Sequence, residues 1–414
     1  MKVTSLPLAA AAAGVALLST QPATASPLPH QLSFGDSPSL STTFSLLSSL
    51  TSASLDVFTP RLVQTAHDEA PYWGFPHYLR WKGVRFFDVT DHLDANGQDV
   101  LLAHSLLSAT SNEKKTSSFP SKLSYQKQVG SVHANISESG PRANIAAFTS
   151  FTNRYYKSGS GKQSQQWLLA KVKEITSVDE NITVEEFEHP WGQNSIIAKI
   201  PATDSKAAEE NGRIVVGSHQ DSVNLIFPYL PAPGADDDGS GTVTQLESLR
   251  ALLASGWKPS HSNVEFHFYS AEEGGLLGSQ AVARSYAESG KKVRAMSQFD
   301  MTAFIKAGTN ATIGVITDVV SPELTAFNRL LIEGYLDVPW VDTQLGYAGS
   351  DHASWTKVGV PSAFSVEATF GDCNLKRIHT TSDTFTHDEY SFEHILRFSR
   401  LSSAFIIELA GWGK

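Results

Sequence analysis

From about residue 118 onward, the chain alternates between two patterns of apolar and polar positions. Short apolar runs, typical of buried strands, lie at 194–201, 214–216, 264–268, 293–300, 312–317 and 361–366. Apolar residues three or four positions apart predict helices at 142–153, 162–177, 242–254 and 392–409. Alternating strands and helices are typical of a three-layer α/β/α fold, in which helices flank a central, mixed but mostly parallel sheet. We therefore predict one such domain over residues 118–414.

The first 25 residues have the composition of an export signal. Lys2 is followed by an apolar, alanine-rich stretch from Leu6 to Leu18 and then by the small residues Ala23-Thr24-Ala25. The stretch is too short to anchor the chain in a membrane. We expect residues 1–25 to be a signal peptide and the protein to be secreted; a disordered alanine-rich tail is the alternative.

Two further features bear on export. Asn135, Asn181 and Asn310 each begin an Asn-x-Ser/Thr sequon, which predicts glycosylation. Cys373 is the only cysteine, so the chain cannot form an internal disulfide and its stability must come from a large core. We interpret Cys373 as a buried, unreactive thiol.

Residues 26–117 differ in composition from the rest of the chain, and none of the candidate site residues lies there. Val84, Phe86 and Phe87 suggest a strand within Trp81–Asp91, and Lys114-Lys115 lies in a polar stretch typical of a linker and processing point. We predict that residues 26–117 form a pro-segment that covers the site as an inhibitor. An independent small domain is the alternative.

Overall composition excludes some partners. The chain is 41% hydrophobic and 18% charged, which is ordinary for a globular protein, and its net charge is −10. Such a charge gives no basic field for phosphate backbones, so we expect no nucleic-acid partner. Outside the N-terminal stretch, no apolar run is long enough to cross a bilayer, so we expect no membrane partner. We also expect a monomer.

Histidine and acidic residues recur where predicted strands end or loops begin. They are His219, Asp237, Glu272, Glu273, Asp300 and His379. In open α/β sheets, ligands collect outside the carboxyl ends of the strands, so we expect these side chains to meet. Imidazole nitrogen and carboxylate oxygen are ligands of zinc. The sequence therefore predicts a metal-dependent hydrolase.

Local spacing adds detail to this hypothesis. Asp236-Asp237-Asp238 places three carboxylates in a glycine-flanked turn, where a bound dication would offset their repulsion; a solvated turn or a calcium loop is the alternative. Glu272 and Glu273 are neighbours in extended backbone and point in opposite directions, so one can bind metal while the other acts as a base.

Six motifs in order carry a family resemblance. They are His-Gln-Asp at 219–221, Gly-Ala-Asp-Asp-Asp-Gly-Ser-Gly at 234–241, Ala-Glu-Glu at 271–273, Gln-Phe-Asp-Met-Thr at 298–302, Gly-Ser-Asp-His-Ala-Ser-Trp at 349–355 and Ile-His-Thr-Thr-Ser-Asp-Thr at 378–384. Over residues 120–414 the chain resembles the secreted bacterial and fungal leucyl aminopeptidases, which use two co-catalytic zinc ions. Residues 81–91 also resemble fungal pro-segments of that family.

The resemblance implies a role for each site residue. Asp237 would bridge the two zinc ions, His379 and Glu273 would complete one site, and His219 and Asp300 the other. Glu272 would be the general base that accepts a proton from water shared by the ions. Asp221 would orient His219, and Asp238 would follow the bridging residue through a cis peptide bond.

The resemblance also implies how a substrate binds. Tyr347 would donate a hydrogen bond to the developing oxyanion, and Met301, Ile316 and Phe370 would line a pocket for leucine-like or other large apolar residues at a free N-terminus. Family members usually have two bonded cysteines around the Tyr347 triplet, whereas this chain has Leu345 and Gly349.

Two other functions remain open at this point. Secreted glutaminyl cyclases share the fold and several motifs but use one zinc ion. Receptor relatives that have lost metal ligands are binding ectodomains; the complete set from His219 to His379 argues against that function.

Overall fold

The computed structural model describes residues 59–65, 71–84, 86–92, 119–347 and 349–413. The predicted signal peptide, the basic pair Lys114-Lys115 and much of the predicted pro-segment lie outside these residues. None of the described helices is long and apolar enough to cross a membrane.

Two sheets are present in the described residues. Strands β1 (Arg61–Gln64), β2 (Tyr72–Gly74) and β3 (Phe87–Asp88) form a small antiparallel sheet. The large sheet has eight strands: β4 (Thr183–Phe187), β5 (Ser195–Ile200), β6 (Arg213–His219), β7 (Val264–Tyr269), β8 (Val293–Phe299), β9 (Ile313–Ile316), β10 (Trp340–Thr343) and β11 (Ser362–Val366). Their spatial order is β10-β9-β11-β8-β6-β7-β5-β4.

Ten α-helices lie in the described residues. They are α1 (Pro76–Trp81), α2 (Gln126–His133), α3 (Ser139–Phe148), α4 (Gly159–Thr176), α5 (Ser205–Asn211), α6 (Gly239–Ala254), α7 (Leu277–Glu288), α8 (Pro322–Tyr335), α9 (His352–Lys357) and α10 (Phe392–Ala410). Several helices begin at a side-chain cap: Ser158, Ser321 and Ser391 each accept a backbone N–H in the first turn, which satisfies a donor that the helix leaves unpaired.

Helices cover both faces of the large sheet, because side chains alternate along each strand. On β6, Ile214 and Val216 join a core cluster that includes residues of α6 and α10. Between them, Val215 points the other way and packs with Val282 of α7 and Trp355 of α9. Strands that are buried on both faces read as continuous apolar runs, which explains the sequence pattern. The predicted three-layer, mostly parallel fold is confirmed.

The middle of the sheet determines where the site can form. Strands β11, β8, β6 and β7 are adjacent and run parallel, whereas the pairs β11–β9, β7–β5 and β5–β4 are antiparallel. Four parallel strands end at one edge of the sheet, so the loops that follow them lie side by side. Those loops contain most of the predicted site residues.

Some elements differ from the prediction. Helix α3 ends at Phe148 rather than 153, because the hydroxyl groups of Thr149 and Ser150 donate to carbonyl oxygens of the last turn. The strand predicted around residues 84–89 is only Phe87–Asp88. Edge strand β4 was not predicted, since most of its side chains are exposed and polar.

Candidate metal centre

Three adjacent parallel strands deliver four of the site residues. His219 is the last residue of β6 and is fully buried. Glu272 and Glu273 follow β7 after Ala271, whose φ of 58° turns the chain sharply. Asp300 comes directly after β8. The shared sheet edge therefore brings these side chains together, as the sequence predicts.

Two loops supply the remaining ligand candidates. Asp237 lies just before α6 and is joined to Asp238 by a cis peptide bond, as the resemblance implies. His379 lies between β11 and α10 and has a φ of 58°. A left-handed backbone costs a non-glycine residue about 1 to 3 kcal/mol, and such conformations cluster at functional sites. The surrounding fold therefore holds His379 in a conformation that an isolated loop would avoid.

Two groups of three side chains could each hold a metal ion; they include Asp238 and do not include Glu272. One group is His219, Asp238 and Asp300, and the other is Asp237, Glu273 and His379; within each group one ligand atom per residue lies within 4.8 Å of the others. All of these side chains are buried. Two neighbouring buried clusters of imidazole and carboxylate, consistent with a binuclear metal site, therefore lie at this edge of the sheet.

Asp237 connects the two groups. Its Oδ1 lies 3.1 Å from Nε2 of His219, and its Oδ2 lies 2.8 Å from Nε2 of His379. The same nitrogen of His379 is 3.0 Å from Glu273, and Nε2 of His219 is 3.6 Å from Asp300. One carboxylate thus faces two different imidazoles, each of which also faces a second carboxylate.

Asp238 lies close enough to His219 and Asp300 to bind the same ion, but its hydrogen bonds give it another role. Oδ1 accepts the backbone N–H groups of Gly241 and Met301, and Oδ2 accepts that of His219. Both oxygens are therefore already bound to backbone donors. Asp238 ties the start of α6 to the ends of β6 and β8, and Asp237 is the better ligand candidate.

Charge in the centre favours a bound cation. Burial alone would lower the pKa of His219, but the charges of Asp300 and Glu272 outweigh burial and raise that pKa well above its usual value. Burial would likewise raise the pKa of Asp237, yet His379 and His219 hold it well below its usual range. Buried groups that attract so much positive charge fit a metal site.

Unsatisfied atoms point the same way. Within the described residues, neither ring nitrogen of His219 makes a hydrogen bond of good geometry, and Oδ1 of Asp300 is also without one. Buried polar atoms are normally hydrogen-bonded, so several at one point indicate a missing partner. Nitrogen and oxygen donors of this kind fit zinc.

Asp221 supports both sides of the centre. Its Oδ1 lies 3.6 Å from Nδ1 of His219, on the side of the ring away from the metal group. The same carboxylate accepts the backbone N–H groups of Glu272 and Glu273 at 3.0 and 3.2 Å. It therefore fixes the turn that separates the proposed base from the proposed ligand.

Asp383 is a supporting residue that the sequence analysis did not single out. It is fully buried, and its two oxygens accept the backbone N–H groups of Asp236 and Asp237 at 3.0 and 3.1 Å. Asp237 is thus held by a carboxylate from the His379 loop. Its place in the motif at 378–384 was the available signal, but nothing in the sequence reveals its backbone partners.

A second buried network links the centre to the pocket wall. Asp236 accepts from the backbone N–H of Ala303 and the side chain of Asn374, while Glu367 accepts from the backbone N–H groups of Phe304 and Asn374. Burial, followed by the charge of Asp236, raises the pKa of Glu367 well above its usual value. Glu367 and Asp236 are therefore tied to the same loop, through Asn374, beside the pocket wall.

Asp300 also has a dedicated partner. The hydroxyl of Ser350 donates to its Oδ2 at 2.6 Å, and the amide of Gln298 donates to Ser350 and to Asp351 at 3.1 and 3.0 Å. Hydrogen bonds of this kind orient metal-binding carboxylates. Ser350 and Gln298 are further residues that sequence reasoning did not identify.

An apolar pocket opens beside the centre. Its lining consists of Asp237, Glu272, Asp300, Met301, Leu345, Tyr347, Gly349, Phe364, Val366, Phe370, Leu375 and Ile378. Of the three residues predicted to line it, Met301 and Phe370 do so. Ile316 lies behind the lining instead: it is fully buried, because strand β9 points its side chain into a cluster with Met301 and Phe364.

The tyrosine loop has an anchor in place of the absent disulfide. The carboxylate of Asp318 accepts the backbone N–H groups of Leu345 and Gly346 at 3.1 and 2.7 Å. The ring of Tyr347 lies edge-on to that of Phe370, with 6.0 Å between centroids. Two charge-assisted hydrogen bonds and one aromatic contact therefore position Tyr347 at the pocket.

Two other buried histidines and the cysteine lie outside the two metal groups. His267 is hydrogen-bonded to Glu265 and Tyr269 within β7, and His352 packs against Phe364. Cys373 is buried in the pocket's apolar cluster, and burial raises the pKa of its thiol.

Comparison with known proteins identifies the class to which this fold and site belong. The sequence matches peptidase family M28 over residues 195–405, and the chain belongs to this family. It is 47% identical over 343 residues to leucine aminopeptidase 1 of Chaetomium globosum, with 80% of each chain covered.

Solved structures agree on the fold. The LapA aminopeptidase of Legionella pneumophila is 28% identical and superposes with a TM-score of 0.73, covering 88% of this chain and 97% of its own. A glutaminyl cyclase of Porphyromonas gingivalis is 18% identical with a TM-score of 0.51, covering 66% of this chain and 99% of its own. The cyclase therefore shares the fold, and its likeness says nothing further.

Replacing Asp383 tests whether the loop contacts support the centre. Asp383→Ala should weaken zinc binding about 10- to 100-fold, because the backbone of Asp237 loses its acceptor. It should also lower the free energy of unfolding by about 2 to 5 kcal/mol, since two buried donors are left unpaired. Zinc affinity can be measured by chelator competition, with exposed Asp388→Ala as the control. Unchanged affinity in Asp383→Ala would remove this residue from the account.

Proposed function

We propose that this chain is a secreted, zinc-dependent aminopeptidase that removes leucine-like and other large apolar residues from the N-termini of peptides. One observation carries the proposal: the two oxygens of Asp237 face different histidine groups beside an apolar pocket. Membership of family M28 and the activity named for leucine aminopeptidase 1 of Chaetomium globosum support it.

The donor set fits two zinc ions per chain. His219, Asp300 and one oxygen of Asp237 would hold the first, and His379, Glu273 and the other oxygen of Asp237 the second. When bound, such a pair polarises a water molecule and the carbonyl group under attack.

Glu272 is the proposed general base. It lines the pocket and belongs to neither metal group, whereas its neighbour Glu273 does. From this position its carboxylate would accept a proton from the attacking water and transfer it to the leaving amine. Asp221 keeps the backbone of both glutamates in place, so the base and the ligand cannot exchange roles easily.

Tyr347 and the pocket determine which substrates react. The Tyr347 hydroxyl would donate to the carbonyl oxygen as its negative charge develops. Met301, Phe364 and Phe370 would contact the first side chain of the peptide. The buried carboxylates beside the pocket would bind a free α-ammonium group, which an internal peptide bond cannot offer.

Residues 26–117 are the proposed pro-segment, and the described part of it lies against the centre. The guanidinium of Arg80 donates to the carbonyl oxygen of Glu273, and the backbone of Asp88 donates to that of Gly275. On the other side, a ring nitrogen of His77 lies 3.2 Å from the carbonyl oxygen of Ile226. Helix α1 therefore lies between the Glu273 turn and the loop after Asp221.

Both contacted pieces belong to the metal centre. Glu273 is a ligand candidate, and the backbone N–H of Leu225 donates to the carbonyl of His379, the other histidine ligand candidate. Aromatic side chains are natural anchors for such docking. Phe86 and Phe87 are both buried, and Phe87 packs on Leu276. These contacts support a segment that limits access to the centre; the side chain of Trp81 lies outside the described residues.

Secretion and glycosylation belong to the same proposal. Asn135, Asn181 and Asn310 are all exposed on the surface, which glycan transfer requires. The N-terminal 25 residues would be removed as a signal peptide on export.

Replacing Glu272 and Glu273 with glutamine, one at a time, tests the proposed roles of base and metal ligand. Glu272→Gln should keep two zinc ions while lowering kcat for leucine amide by at least about 100-fold, because the base is lost. Glu273→Gln should lose zinc and activity together. Turnover is followed by ammonia release, and zinc by elemental analysis of the same samples.

N-acetyl-leucine amide is the matched control substrate, since it differs only in its blocked amine and should not react. Near-normal turnover by Glu272→Gln would exclude it as the base. One zinc ion per wild-type chain, with cyclisation of N-terminal glutamine, would favour the cyclase function instead.

Blocking maturation tests the pro-segment. The chain from Ser26 with Lys114→Gln and Lys115→Gln should hydrolyse leucine amide at least about tenfold more slowly than protein beginning at Ser118, since each 1.4 kcal/mol of docking energy gives a factor of ten. Adding Arg80→Gln to the blocked chain should restore part of the activity. Equal rates in blocked and mature forms would show that the segment is not an inhibitor, and refolding yields would then test a role in folding.

A further inference from the structure

Buried acidic side chains around the metal centre far outnumber buried lysines and arginines. Ten acidic side chains at the centre and its supporting networks are buried: Asp221, Asp236, Asp237, Asp238, Glu272, Glu273, Asp300, Asp351, Glu367 and Asp383. Among the described residues, the buried lysines and arginines are Arg80, Arg154 and Lys357. Arg80 belongs to the proposed pro-segment, and Lys357 donates to Gln64 of the same segment. Arg154 is thus the buried cation that the catalytic domain itself places at the centre.

Arg154 is held by carbonyl oxygens and not by a carboxylate. Its Nε donates to Gln220 and one terminal nitrogen to Gly234, both at 2.8 Å, and the other terminal nitrogen donates to Pro233. The guanidinium also lies over the ring of Phe148, 4.2 Å from its centroid. Its position is therefore fixed by neutral groups, which leaves its charge available to act on the acidic cluster.

Those carbonyl groups belong to the two loops that carry metal ligands. Gln220 lies between His219 and Asp221, and Gly234 begins the loop that contains Asp237. Arg154 therefore joins the two loops directly. Burial lowers its pKa to about 10, with Asp383 and Asp221 opposing that change, so the guanidinium keeps its charge at neutral pH.

We propose that Arg154 is a built-in counter-ion, a positioning residue that holds the ligand loops together when zinc is absent. The inference rests on the proposed zinc site. Without zinc, the buried carboxylates repel one another and Arg154 offsets part of that repulsion. With zinc bound, the ions supply the positive charge and Arg154 repels them, so its net contribution to stability becomes smaller.

This reciprocity gives a test that separates charge from packing. If the charges of Arg154 and zinc repel each other, removing the arginine charge must strengthen zinc binding. By reciprocity, bound zinc must then reduce, by the same free energy, the loss of folding stability that the substitution causes. A residue that only packs the loops would lower the stability of both forms equally.

The experiment compares Arg154→Gln and Arg154→Lys with wild type, each as the full chain, both stripped with a chelator and reloaded with Zn²⁺. Arg154→Gln should raise the zinc-induced increase in Tm by at least about 2 °C over wild type, since about 1 °C corresponds to each kcal/mol in a chain of this size. Arg154→Lys keeps the charge but not the three hydrogen bonds, so both forms should lose stability while the zinc-induced increase stays at the wild-type value. Arg142→Gln, which removes a half-exposed arginine charge, should change nothing.

Chelator competition should show tighter zinc binding in Arg154→Gln, by about tenfold for each 1.4 kcal/mol of coupling. If metal-free Arg154→Gln is unfolded, Arg154→Lys decides: a metal-free lysine variant that folds, because it keeps the charge, supports the inference, and one that is equally unfolded overturns it. Equal loss of Tm with and without zinc, weaker zinc binding, or a chain that does not fold even with zinc would overturn it. If wild type itself shows no increase in Tm with zinc, the proposed function fails as well.

Discussion

The charge of the buried carboxylates at one edge of the large sheet is the constraint on which the rest of the site depends. Moving a carboxylate from water into a protein interior costs several kcal/mol unless it is paired. Backbone N–H groups neutralise Asp221, Asp238 and Asp383 in part. Among the described residues, Asp237 and Asp300, which both face His219, accept no backbone N–H, which leaves them for a cation.

The ends of adjacent strands in the large sheet place most of those carboxylates close together. Parallel strands β6, β7 and β8 end side by side, so residues at the strand ends or within four positions after them assemble most of the centre. Loops that carry Asp237 and His379 need more support. Asp383 joins them to each other, and Arg154 joins the Asp237 loop to the end of β6. Rigid strands and tied loops together give a centre that is formed before substrate arrives.

Much of this arrangement could be predicted from the sequence, because its signals are local. A histidine or acidic residue at the end of an apolar run, as at His219 and Asp300, shows which sheet edge it occupies. The role of Asp383 could not be predicted, since its partners are backbone groups about 150 residues away along the chain. The buried position of Arg154 could not be predicted either, because a single arginine in a loop normally indicates a solvated surface.

The residues that line the pocket were harder to predict from the sequence, for a different reason. Ile316 belongs to an apolar strand, and the pattern alone cannot say whether its side chain lines a cavity or lies one layer behind it. Register decides this, and register depends on how β9 pairs with β11 in antiparallel orientation. Edge strand β4 was missed for the opposite reason, since it has one partner strand and largely exposed side chains that give no apolar signal.

Anomalous diffraction at the zinc absorption edge, from crystals of the zinc-loaded protein, tests the central claim most directly. Two peaks should appear, one beside His219 and Asp300 and the other beside His379 and Glu273, with one oxygen of Asp237 facing each. A single peak, or two peaks with Asp238 as the shared ligand and Asp237 turned away, would contradict the account.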